Sequence, residues 1–537
     1  MLLHELHELQ AKHGWLSDDT LRAFSRERNV PLYQVEAVTT FYPHFRRSPP
    51  PRAVVTVCRD ASCHLGGGAT YVREIRRMLD GAAGVEVREV SCLGRCERAP
   101  AACVNDVPME GWSAAEVATA ARGSKPLPAD EPTSAPRRWP TDPYATRDAH
   151  YGVLRRSIAT RDAARQSIPG LLKDAGLRGM GGAGFPTGLK WQLVRDAVGD
   201  GPGTAKYALV NADESEPGTF KDRVILEELP HLVIEGLLLG CLVTGAQTAI
   251  VYVRHEYTRE TKAIAREIER VRALGLLSEM GGIDLSVFVS PGGYILGEET
   301  ALLEALEGKR GEPRNKPPYP VTHGLHGKPT LMNNVETYSF VPAILTEGAD
   351  RWKAHGVNGA AGWKFLSVSG DVAKPGVYCV PMGTTVRDLV EKHCGGMRDG
   401  KAMKAFSPGG ASAPFLPASL ADTPLSFDAM AKAGSMLGSG APLIVAEGAD
   451  LLALAANMVR FFRNESCGKC VPCRVGSQKA VDVLDRVLAG QSNGKDFEGF
   501  ADLDEVLRLT SICGLGQVVL NPVTSVLKHW PETARRT

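Results

Sequence analysis

The stretch Tyr207-Ala-Leu-Val-Asn-Ala-Asp-Glu-Ser-Glu-Pro-Gly218 joins a short apolar strand, residues 207–210, to an acidic loop. A second strand is predicted at residues 248–253, and helical patterns cover residues 230–242 and 256–273. Strands and helices that alternate in this way are typical of a parallel sheet covered by helices. We therefore expect an α/β domain in the middle of the chain, from about residue 148 to residue 350.

A second acidic loop, Tyr294-Ile-Leu-Gly-Glu-Glu299, follows another apolar segment further along the chain. Acidic side chains at the carboxyl ends of parallel strands can accept hydrogen bonds from ribose hydroxyls or from the edge of a flavin ring. Taken alone, each of the two loops is more typical of a solvated turn. Both interpretations stay open at this point.

Upstream of the first strand, Gly179-Met-Gly-Gly-Ala-Gly184 matches the pattern G-x-G-x-x-G. In a dinucleotide-binding fingerprint this pattern follows a strand and opens a helix. Here the preceding residues, 168–175, look helical and Phe185-Pro186 follows at once, which argues against the standard fingerprint. A glycine loop still lets a flat ring or a phosphate approach the backbone, and Lys190 could supply a cation. A plain turn is the alternative.

The N-terminal part of the chain has a different pattern. Residues 1–46 are predicted to be helical. A smaller α/β unit follows, with strands at residues 53–57 and 85–90 and a helix at residues 69–79. Residues 122–147 are rich in Pro, Ser, Asp and Arg without apolar periodicity, which is typical of an interdomain linker.

The C-terminal part begins with residues 363–446, which are rich in strands and punctuated by Gly and Pro, with one short helix near residues 386–391. Helices return after residue 450. They are predicted at residues 451–462, 477–488 and 503–510.

Four cysteines in the N-terminal α/β unit have the spacing C-x4-C and C-x3-C: Cys58, Cys63, Cys92 and Cys96. Each pair follows an apolar strand, so two neighbouring loops can present four thiolates to one metal centre. Four thiolates suit a [2Fe–2S] cluster or zinc, but zinc sites more often contain C-x2-C pairs. The spacing therefore favours a [2Fe–2S] cluster over zinc, and unrelated core cysteines are the remaining alternative.

A second set lies in Ser466-Cys-Gly-Lys-Cys-Val-Pro-Cys-Arg474, where Cys467, Cys470 and Cys473 have the spacing C-x2-C-x2-C. This spacing places three ligands around a cubane cluster and leaves the fourth to another segment. Cys513, in Ser511-Ile-Cys-Gly-Leu-Gly516, is the obvious candidate. The sequence thus predicts a [4Fe–4S] cluster, with zinc as the alternative.

Other cysteines have no partner at a ligand spacing. We interpret them as small buried hydrophobic residues. They are Cys103, Cys241, Cys379 and Cys394.

Bulk properties exclude several classes of protein. The 537 residues carry a formal net charge of +1, so no overall field would attract nucleic acid or anionic lipid. No run of about 18 apolar residues is present, and the N-terminus lacks the pattern of a signal peptide. We therefore expect a cytoplasmic protein without direct membrane insertion. Disulfides are rare in the cytoplasm, so the cysteines need another explanation.

Four long motifs occur in order: residues 181–191 (GGAGFPTGLKW), 211–222 (NADESEPGTFKD), 297–302 (GEETAL) and 465–474 (ESCGKCVPCR). With them the chain resembles the NADH-binding flavoprotein subunit of respiratory complex I. The same module occurs in NAD-reducing hydrogenases and NAD-dependent formate dehydrogenases. The first part, with Gly14-Trp15-Leu16, Thr40-Phe41-Tyr42 and the first four cysteines, resembles the small thioredoxin-like [2Fe–2S] subunit of that family, here fused to it.

The resemblance implies a multidomain α/β fold, which we divide by residue numbers. The expected parts are an N-terminal helical segment (1–46), a thioredoxin-like [2Fe–2S] domain (47–121), a linker (122–147), a Rossmann-like FMN/NADH domain (148–360), a β-grasp domain (361–446) and a C-terminal helical [4Fe–4S] domain (447–537).

The resemblance also implies a set of cofactor-binding residues. Those expected around FMN are Gly179, Gly181, Gly182, Gly184, Lys190, Asn211, Asp213, Asn333 and Asn334. Those expected around NAD(H) are Phe185 and Tyr319 at the adenine, Glu299 at the ribose hydroxyls and Glu216 near the nicotinamide, and the acidic loops add Glu214, Tyr294, Gly297 and Glu298. No side chain is expected to act as a catalytic acid or base, since hydride passes between bound cofactors.

The implied activity is NADH dehydrogenase (diaphorase) chemistry, in which FMN converts two-electron hydride transfer into one-electron transfer to iron–sulfur clusters. The string around Cys513-Gly-Leu-Gly-Gln517, Asn521-Pro522 and Lys528-His-Trp-Pro531 looks most similar to the β subunit of formate dehydrogenase. We expect a molybdopterin-type catalytic subunit as partner, with a hydrogenase or complex I as alternatives. A zinc-bearing interaction scaffold is the alternative from another class.

Overall fold

The computed structural model describes residues 2–128, 137–199, 201, 203–492 and 494–535. The central part of the predicted linker, residues 129–136, lies outside the described residues. Within the described residues, no helix is both long enough and apolar enough to cross a membrane.

The chain begins with three short helices, as predicted. They are α1 (Leu2–His13), α2 (Asp18–Glu27) and α3 (Leu32–Phe41). Ser17 caps α2, because its Oγ accepts a hydrogen bond from the Thr20 N–H at 3.1 Å. Leu3 and Leu6 are fully buried in a hydrophobic cluster with Leu302 of the middle domain. The N-terminal helices are therefore packed onto the middle domain.

The thioredoxin-like unit contains a four-stranded sheet in the order β2-β1-β3-β4. Its elements are β1 (Ala53–Cys58), α4 (Ala61–Leu65), α5 (Gly68–Leu79), β2 (Val85–Val90), β3 (Ala102–Val104), β4 (Val107–Pro108) and α6 (Ala114–Ala121). Strand β1 pairs in parallel with β2 and antiparallel with β3. The two predicted strands and the helix between them are confirmed.

The middle domain contains a four-stranded parallel sheet in the order β7-β6-β5-β8. Its strands are β5 (Tyr207–Ala212), β6 (Thr248–Val253), β7 (Asp284–Val289) and β8 (Thr330–Asn334). Its helices are α7 (Gly152–Ala159), α8 (Arg161–Asp174), α9 (Thr187–Asp196), α10 (Lys221–Glu228), α11 (Pro230–Thr244), α12 (Thr258–Ala273), α13 (Leu276–Glu279), α14 (Glu299–Leu306), α15 (Pro320–His323), α16 (Val335–Glu347) and α17 (Ala349–Ala354). Both predicted strands and both predicted helices are confirmed.

Helix α11 lies at the centre of this domain. From His231 to Thr244 every residue is buried, which explains why the sequence here is apolar on all sides without being a membrane span. Two of its glycines allow close packing. A Cβ at Gly236 would lie 2.1 Å from the carbonyl oxygen of Tyr338 in α16, so only glycine fits.

The next unit has a five-stranded sheet in the order β10-β9-β13-β11-β12, in which β13 runs parallel to β9. Its elements are β9 (Trp363–Gly370), β10 (Gly376–Pro381), α18 (Val386–Asp388), a π-helical turn (Leu389–His393), β11 (Met403–Ser407), β12 (Leu416–Pro417), α19 (Phe427–Lys432) and β13 (Leu443–Ala446). The short helix near residue 386 is confirmed, whereas α19 was not predicted.

The chain ends in a group of helices. They are α20 (Leu451–Glu465), α21 (Val471–Leu488), α22 (Phe500–Thr510), α23 (Gly514–Val518) and α24 (Asn521–His529). Helix α21 begins at Val471, six residues before the predicted start. Pro472 is the reason, because proline is well suited to the first turn of a helix.

The described end of the predicted linker packs against the protein. Trp139 is buried, its ring lies 5.0 Å from that of Phe365, and its Nε1 donates to Glu228 at 2.8 Å. Arg137 forms an ion pair with the same carboxylate at 3.0 Å. Residues 137–139 therefore join the middle domain to the unit with the five-stranded sheet.

Candidate functional site

A large cavity lies at the carboxyl ends of strands β5 and β8. It has a volume of about 740 Å³, within the range of sites for small molecules and cofactors. Every cofactor-binding residue predicted from the sequence lines it. These residues are Gly179, Gly181, Gly182, Gly184, Phe185, Lys190, Asn211, Asp213, Glu214, Glu216, Tyr294, Gly297, Glu298, Glu299, Tyr319, Asn333 and Asn334.

The glycine loop, residues 179–184, forms one wall of the cavity as bare backbone. It connects α8 to α9, so it follows a helix as the sequence indicated. Gly182 and Gly184 have φ values of 119° and 64°, which side-chain-bearing residues rarely adopt. A Cβ at Gly181 would lie 3.1 Å from the Cβ of Asn334. This wall fits a flat ring or a phosphate that must approach the main chain.

Two helices begin at the cavity with capping side chains that also line it. Glu298 caps α14 by accepting from the Thr300 and Ala301 N–H groups, each at 2.9 Å. Asn334 caps α16 by accepting from the Glu336 N–H at 3.0 Å. The caps fix where the two helices begin at the cavity wall, and the N–H groups named here are already bonded to the capping side chains.

The two acidic loops at the edge of the cavity, residues 211–218 and 294–299, are joined by a hydrogen bond. The Asn211 Nδ2 donates to the Gly297 carbonyl at 2.9 Å, which ties the first acidic loop to the second. On the other side, Trp191 Nε1 donates to Asn333 Oδ1 at 2.9 Å. Both asparagines are therefore fixed in orientation before any ligand binds.

The acidic group at Glu299 is neutralised by lysines. Lys316 Nζ lies 2.8 Å from Glu299 Oε1 and 2.9 Å from Glu298 Oε1. Although burial opposes it, Lys190 and Lys316 together hold the pKa of Glu299 below its ordinary value. Lys316 is not among the cofactor-binding residues predicted from the sequence. Its position between two Pro-rich segments gave no periodic or motif signal.

Two aromatic side chains predicted for the adenine, Phe185 and Tyr319, lie at the rim of the cavity. They are 41% and 54% exposed, which is unusual for large apolar side chains. Lys190 Nζ lies 5.9 Å from the Phe185 ring centroid. These two exposed rings are available for stacking on a planar ligand.

Glu216 occupies a different part of the cavity from Glu299. It accepts hydrogen bonds from the Tyr294 hydroxyl and, at 2.7 Å, from the Ser412 N–H. Burial raises its pKa above the ordinary value. Glu216 therefore faces Tyr294 and the unit with the five-stranded sheet. The lysines that pair with Glu299 are not among its hydrogen-bond partners named here.

A buried group of charges lies beside the cavity. Lys221 Nζ is 2.6 Å from Asp222 Oδ1 and 3.0 Å from Glu336 Oε2, and Lys364 Nζ is 2.6 Å from the same Glu336 oxygen. Burial lowers the pKa of Lys364 to about 8, partly offset by Glu336. Asp222 reaches the cavity and accepts from Asn334 Nδ2 at 2.6 Å. The network fixes the orientation of Asn334.

The first cysteine set is buried between the thioredoxin-like unit and the middle domain. Cys58, Cys63, Cys92 and Cys96 are each at most 4% exposed. The sulfurs of Cys92 and Cys96 are 3.5 Å apart, and Cys58 contacts both Cys63 and Cys92. The structure thus brings together the two predicted pairs, and four sulfurs in a buried, closed shell fit a [2Fe–2S] cluster.

The second cysteine set lies at the surface of the C-terminal helices. Cys467 and Cys470 are in the loop after α20, Cys473 is in the first turn of α21, and Cys513 precedes α23. All four join the same hydrophobic cluster, and Cys473 is the most buried. Cys513 also interacts electrostatically with Cys467, and its role as the fourth ligand stays a prediction. Its helix α23 contributes Gly514 and Leu515 to the wall of the large cavity.

Glu465 connects both cysteine regions to the cavity. Its Oε1 accepts from the Ser91 hydroxyl, next to Cys92, and its Oε2 accepts from the Tyr294 N–H at 3.0 Å. Glu465 itself precedes the Cys467 loop in sequence. Nothing in the sequence indicated this role, since Ser91 and Glu465 are 374 residues apart.

Of the remaining cysteines, Cys103, Cys241 and Cys394 are buried, as predicted, and Cys379 is partly buried.

Four family models match the chain. A thioredoxin-like [2Fe-2S] ferredoxin model matches residues 1–123, and a Nuo51 FMN-binding domain model matches residues 172–343. An SLBB domain model matches residues 365–416, and a model of the NADH-ubiquinone oxidoreductase-F iron-sulfur binding region matches residues 453–537. These matches decide between iron–sulfur and zinc at both cysteine sets in favour of iron–sulfur.

Relatives and solved structures agree with these matches. The chain is 42% identical over 385 residues to an F subunit of NADH-quinone oxidoreductase of Rhizobium meliloti, covering 71% of this chain and 90% of the relative. It is 40% identical over 397 residues to the corresponding F subunit of Escherichia coli, covering 73% and 88%. A solved NAD+-reducing [NiFe]-hydrogenase in the air-oxidized state superposes with a TM-score of 0.87, at 33% identity, covering 99% of this chain and 92% of that chain.

The fold and the sites define an iron–sulfur flavoprotein. The chain belongs to the family of NADH-binding flavoprotein subunits represented by the F subunit of NADH-quinone oxidoreductase, and it carries the thioredoxin-like [2Fe–2S] domain on the same polypeptide. Its cofactors are FMN, NAD(H), one [2Fe–2S] and one [4Fe–4S] cluster. It is an NADH dehydrogenase-type oxidoreductase subunit that relays electrons between NADH, FMN and iron–sulfur clusters.

Proposed function

We propose that this chain is the NAD(H)-reacting subunit of a formate dehydrogenase complex. In that complex a molybdopterin-type partner, with molybdenum or tungsten, oxidises formate, and this chain provides the site at which NAD+ is reduced. The observation that carries the proposal is the segment after Cys513. Its residues resemble the formate dehydrogenase β subunit in sequence, and three of them, Gly514, Leu515 and Val518, line the large cavity.

A surface next to these cysteines supports a protein partner there. Four large apolar side chains on α21 and α22 are between 44% and 63% exposed: Val471, Val475, Val506 and Leu509. Val471 directly follows Cys470, and Leu509 lies four residues before Cys513. Apolar side chains clustered at a surface are typical of protein contacts, and a cluster that hands electrons to another subunit must lie close to that subunit.

We also propose the roles of the site residues. The glycine loop, Lys190, Asn211, Asp213, Asn333 and Asn334 would hold FMN, and Phe185, Tyr319, Glu299 and Lys316 would hold the adenosine part of NAD(H). Cys58, Cys63, Cys92 and Cys96 would ligate the [2Fe–2S] cluster. Cys467, Cys470, Cys473 and Cys513 would ligate the [4Fe–4S] cluster. When bound, FMN exchanges hydride with nicotinamide and single electrons with iron–sulfur clusters.

The role of the chain's own residues is to bind the cofactors and to fix their orientation. The glycine backbone lets the ligand approach the wall, and Trp191 and Gly297 fix the two asparagines through the hydrogen bonds described above. Phe185 and Tyr319 present flat faces at the rim, while Lys316 holds the Glu299 carboxylate in place. None of these steps requires a side chain to transfer a proton.

A second candidate is the corresponding subunit of an NAD-reducing hydrogenase. The superposition with the solved NAD+-reducing [NiFe]-hydrogenase covers 99% of this chain and favours that alternative. The two candidates differ in the partner and not in the flavin and cluster sites.

Native co-purification separates the two candidates. The chain, tagged at one terminus and expressed in its source cells, should co-purify with a molybdopterin-type subunit. The preparation should reduce NAD+ with formate, whereas the isolated chain should show NADH–dye activity without formate oxidation. A preparation that reduces NAD+ with hydrogen and not with formate would assign the chain to a hydrogenase. Loss of NADH–dye activity from a flavin-loaded chain would instead contradict the proposed coenzyme site.

A further inference from the structure

Arg254 spans the distance between the first cysteine set and the flavin cavity. It follows strand β6 and is only 4% exposed. Its Nη2 donates a hydrogen bond to the carbonyl oxygen of Cys92, and its Nη1 donates to the carbonyl oxygen of Glu214 at 2.8 Å. A single guanidinium group therefore contacts a cysteine loop on one side and a residue that lines the cavity on the other.

The adjacent Tyr257 completes this contact. Its hydroxyl donates to Glu214 Oε2 at 3.0 Å, and its ring lies 5.5 Å from the Arg254 guanidinium carbon. The Cys92 loop packs directly on the ring, since a Cβ at Gly94 would lie 2.7 Å from it. Gly94 also has a φ of 68°, so the loop needs glycine there for two reasons.

Among the described residues, Arg254 forms an ion pair with one carboxylate, that of Glu256. Its Nε donates to Glu256 Oε2 at 2.7 Å. By contrast, Arg95 in the same cysteine loop meets two carboxylates, Glu260 at 3.3 Å and Glu110 at 3.4 Å. A buried cation acts strongly on nearby charge because the surroundings screen it weakly.

Reduction of a thiolate-ligated cluster adds one negative charge, so a fixed nearby cation stabilises the reduced form. Reduction potentials of such clusters depend on net charge, hydrogen bonds and exposure, and the four cysteines here are shielded from water. We propose that Arg254 is a positioning residue that holds the Cys92 loop against the wall of the flavin cavity and raises the reduction potential of the [2Fe–2S] cluster. This inference rests on the proposed ligation of that cluster by Cys58, Cys63, Cys92 and Cys96.

The test is a redox titration of the full chain, followed by electron paramagnetic resonance of the reduced [2Fe–2S] cluster. Arg254→Gln removes the charge and should make the midpoint potential more negative. We expect at least a tenfold fall in the ratio of reduced to oxidised cluster at a fixed potential, which is about 59 mV for one electron. Arg254→Lys, which keeps the charge, should restore most of the potential. An unchanged potential in Arg254→Gln with the cluster assembled would overturn the inference.

Two further variants keep the test decisive if Arg254→Gln fails to fold. Glu256→Gln removes the partner charge and leaves Arg254 unbalanced. The reduction potential of the [2Fe–2S] cluster in this variant should therefore move in the positive direction. Arg259→Gln is the matched control, a buried arginine on α12 that pairs with Glu110 at 3.6 Å. It should shift the potential much less. A negative or absent shift in Glu256→Gln, or an equal shift in the control, would overturn the inference.

The ligation itself is checked separately with Cys92→Ala, which should lose the [2Fe–2S] signal while the [4Fe–4S] signal remains. A [2Fe–2S] signal that persists in Cys92→Ala would contradict the proposed ligands. That outcome differs from an assembled cluster whose reduction potential is unchanged in Arg254→Gln, which would contradict only the role of Arg254.

Discussion

Asn457, in helix α20, accepts a hydrogen bond from the backbone N–H of Ala61 at 2.8 Å. The same side chain donates to the carbonyl of Arg59 at 2.9 Å, so one buried amide holds both sides of the loop between Cys58 and Cys63. Ala61 has a φ of 41°, a backbone conformation that residues other than glycine rarely adopt. The loop of the first cysteine set is therefore held by the helix that leads to the second set.

Replacing Asn457 by Leu should destabilise this loop. The change keeps the side-chain size but leaves the Ala61 N–H and the Arg59 carbonyl without their partner, each at a cost of about 1–3 kcal/mol. We expect a lower thermal unfolding midpoint and faster loss of the [2Fe–2S] absorbance in the presence of an iron chelator. Asn464→Leu, an exposed site on the same helix, is the control. Equal rates of cluster loss in the two variants would contradict this role.

The choice of coenzyme should depend on the pair Glu299 and Lys316. Glu299→Gln removes one of the two carboxylates that pair with Lys316, so the charge that a 2′-phosphate would meet becomes more positive. We expect kcat/KM for NADPH relative to NADH to rise by roughly tenfold, which corresponds to 1.4 kcal/mol. The measurement uses an artificial electron acceptor with both coenzymes. Lys316→Gln should change the ratio in the opposite direction, and no change in either variant would show that these residues do not face the ribose.

Cys513 should be required for one cluster only. The purified chain should contain one FMN together with iron for one [2Fe–2S] and one [4Fe–4S] cluster, measured by metal and acid-labile sulfide analysis. Cys513→Ala should abolish the [4Fe–4S] signal and leave the [2Fe–2S] signal, since the two cysteine sets are separate. Cys379→Ala, a partly buried cysteine in β10, should leave both signals in place. Survival of the [4Fe–4S] signal in Cys513→Ala would mean that another residue is the fourth ligand.

The stability of the middle domain should depend on pH through Glu235. This fully buried carboxyl accepts hydrogen bonds from Tyr144 Oη at 2.8 Å and from the Leu154 N–H at 2.9 Å, and burial raises its pKa to about 7. A raised pKa means that its contribution to stability is present below about pH 4.5 and is lost as the pH rises to about 7.

Glu235→Gln stays neutral and should not show this loss. Between pH 4.5 and 7 the unfolding free energy of the unsubstituted protein should therefore fall by about 3 kcal/mol relative to the variant. Thermal unfolding followed at several pH values, with flavin fluorescence as the signal, gives the comparison. Parallel pH profiles for the two proteins would show that Glu235 keeps an ordinary pKa.

Much of the fold could be predicted because the deciding signals are local in sequence. Strand β5 and its acidic loop are contiguous, and the cysteine spacings are short. Cavity residues lie where the sequence pattern changes: Asn211 is at the end of a strand and Glu299 is at the start of a helix.

The residues that sequence reasoning missed act across the chain. Arg254 and Glu465 make their contacts with residues that are distant in sequence, Cys92 and Ser91. Lys316 pairs with Glu298 and Glu299 but lies in no motif of its own. Helix α19 was missed because it has only six residues, Phe427–Lys432, and too few turns to show a helical period. Local patterns carry no record of such tertiary partners.

The difference in burial between the two cysteine sets has a consequence for biogenesis. Cys58, Cys63, Cys92 and Cys96 are closed off between two parts of the polypeptide, whereas Cys467, Cys470 and Cys513 remain partly accessible. A maturation factor could reach the first set only before the thioredoxin-like unit docks, while the second set stays reachable in the folded chain. We therefore expect an obligatory order: in chemical reconstitution of the folded, metal-free chain, the [4Fe–4S] cluster should return readily, and the [2Fe–2S] cluster should return only after partial unfolding.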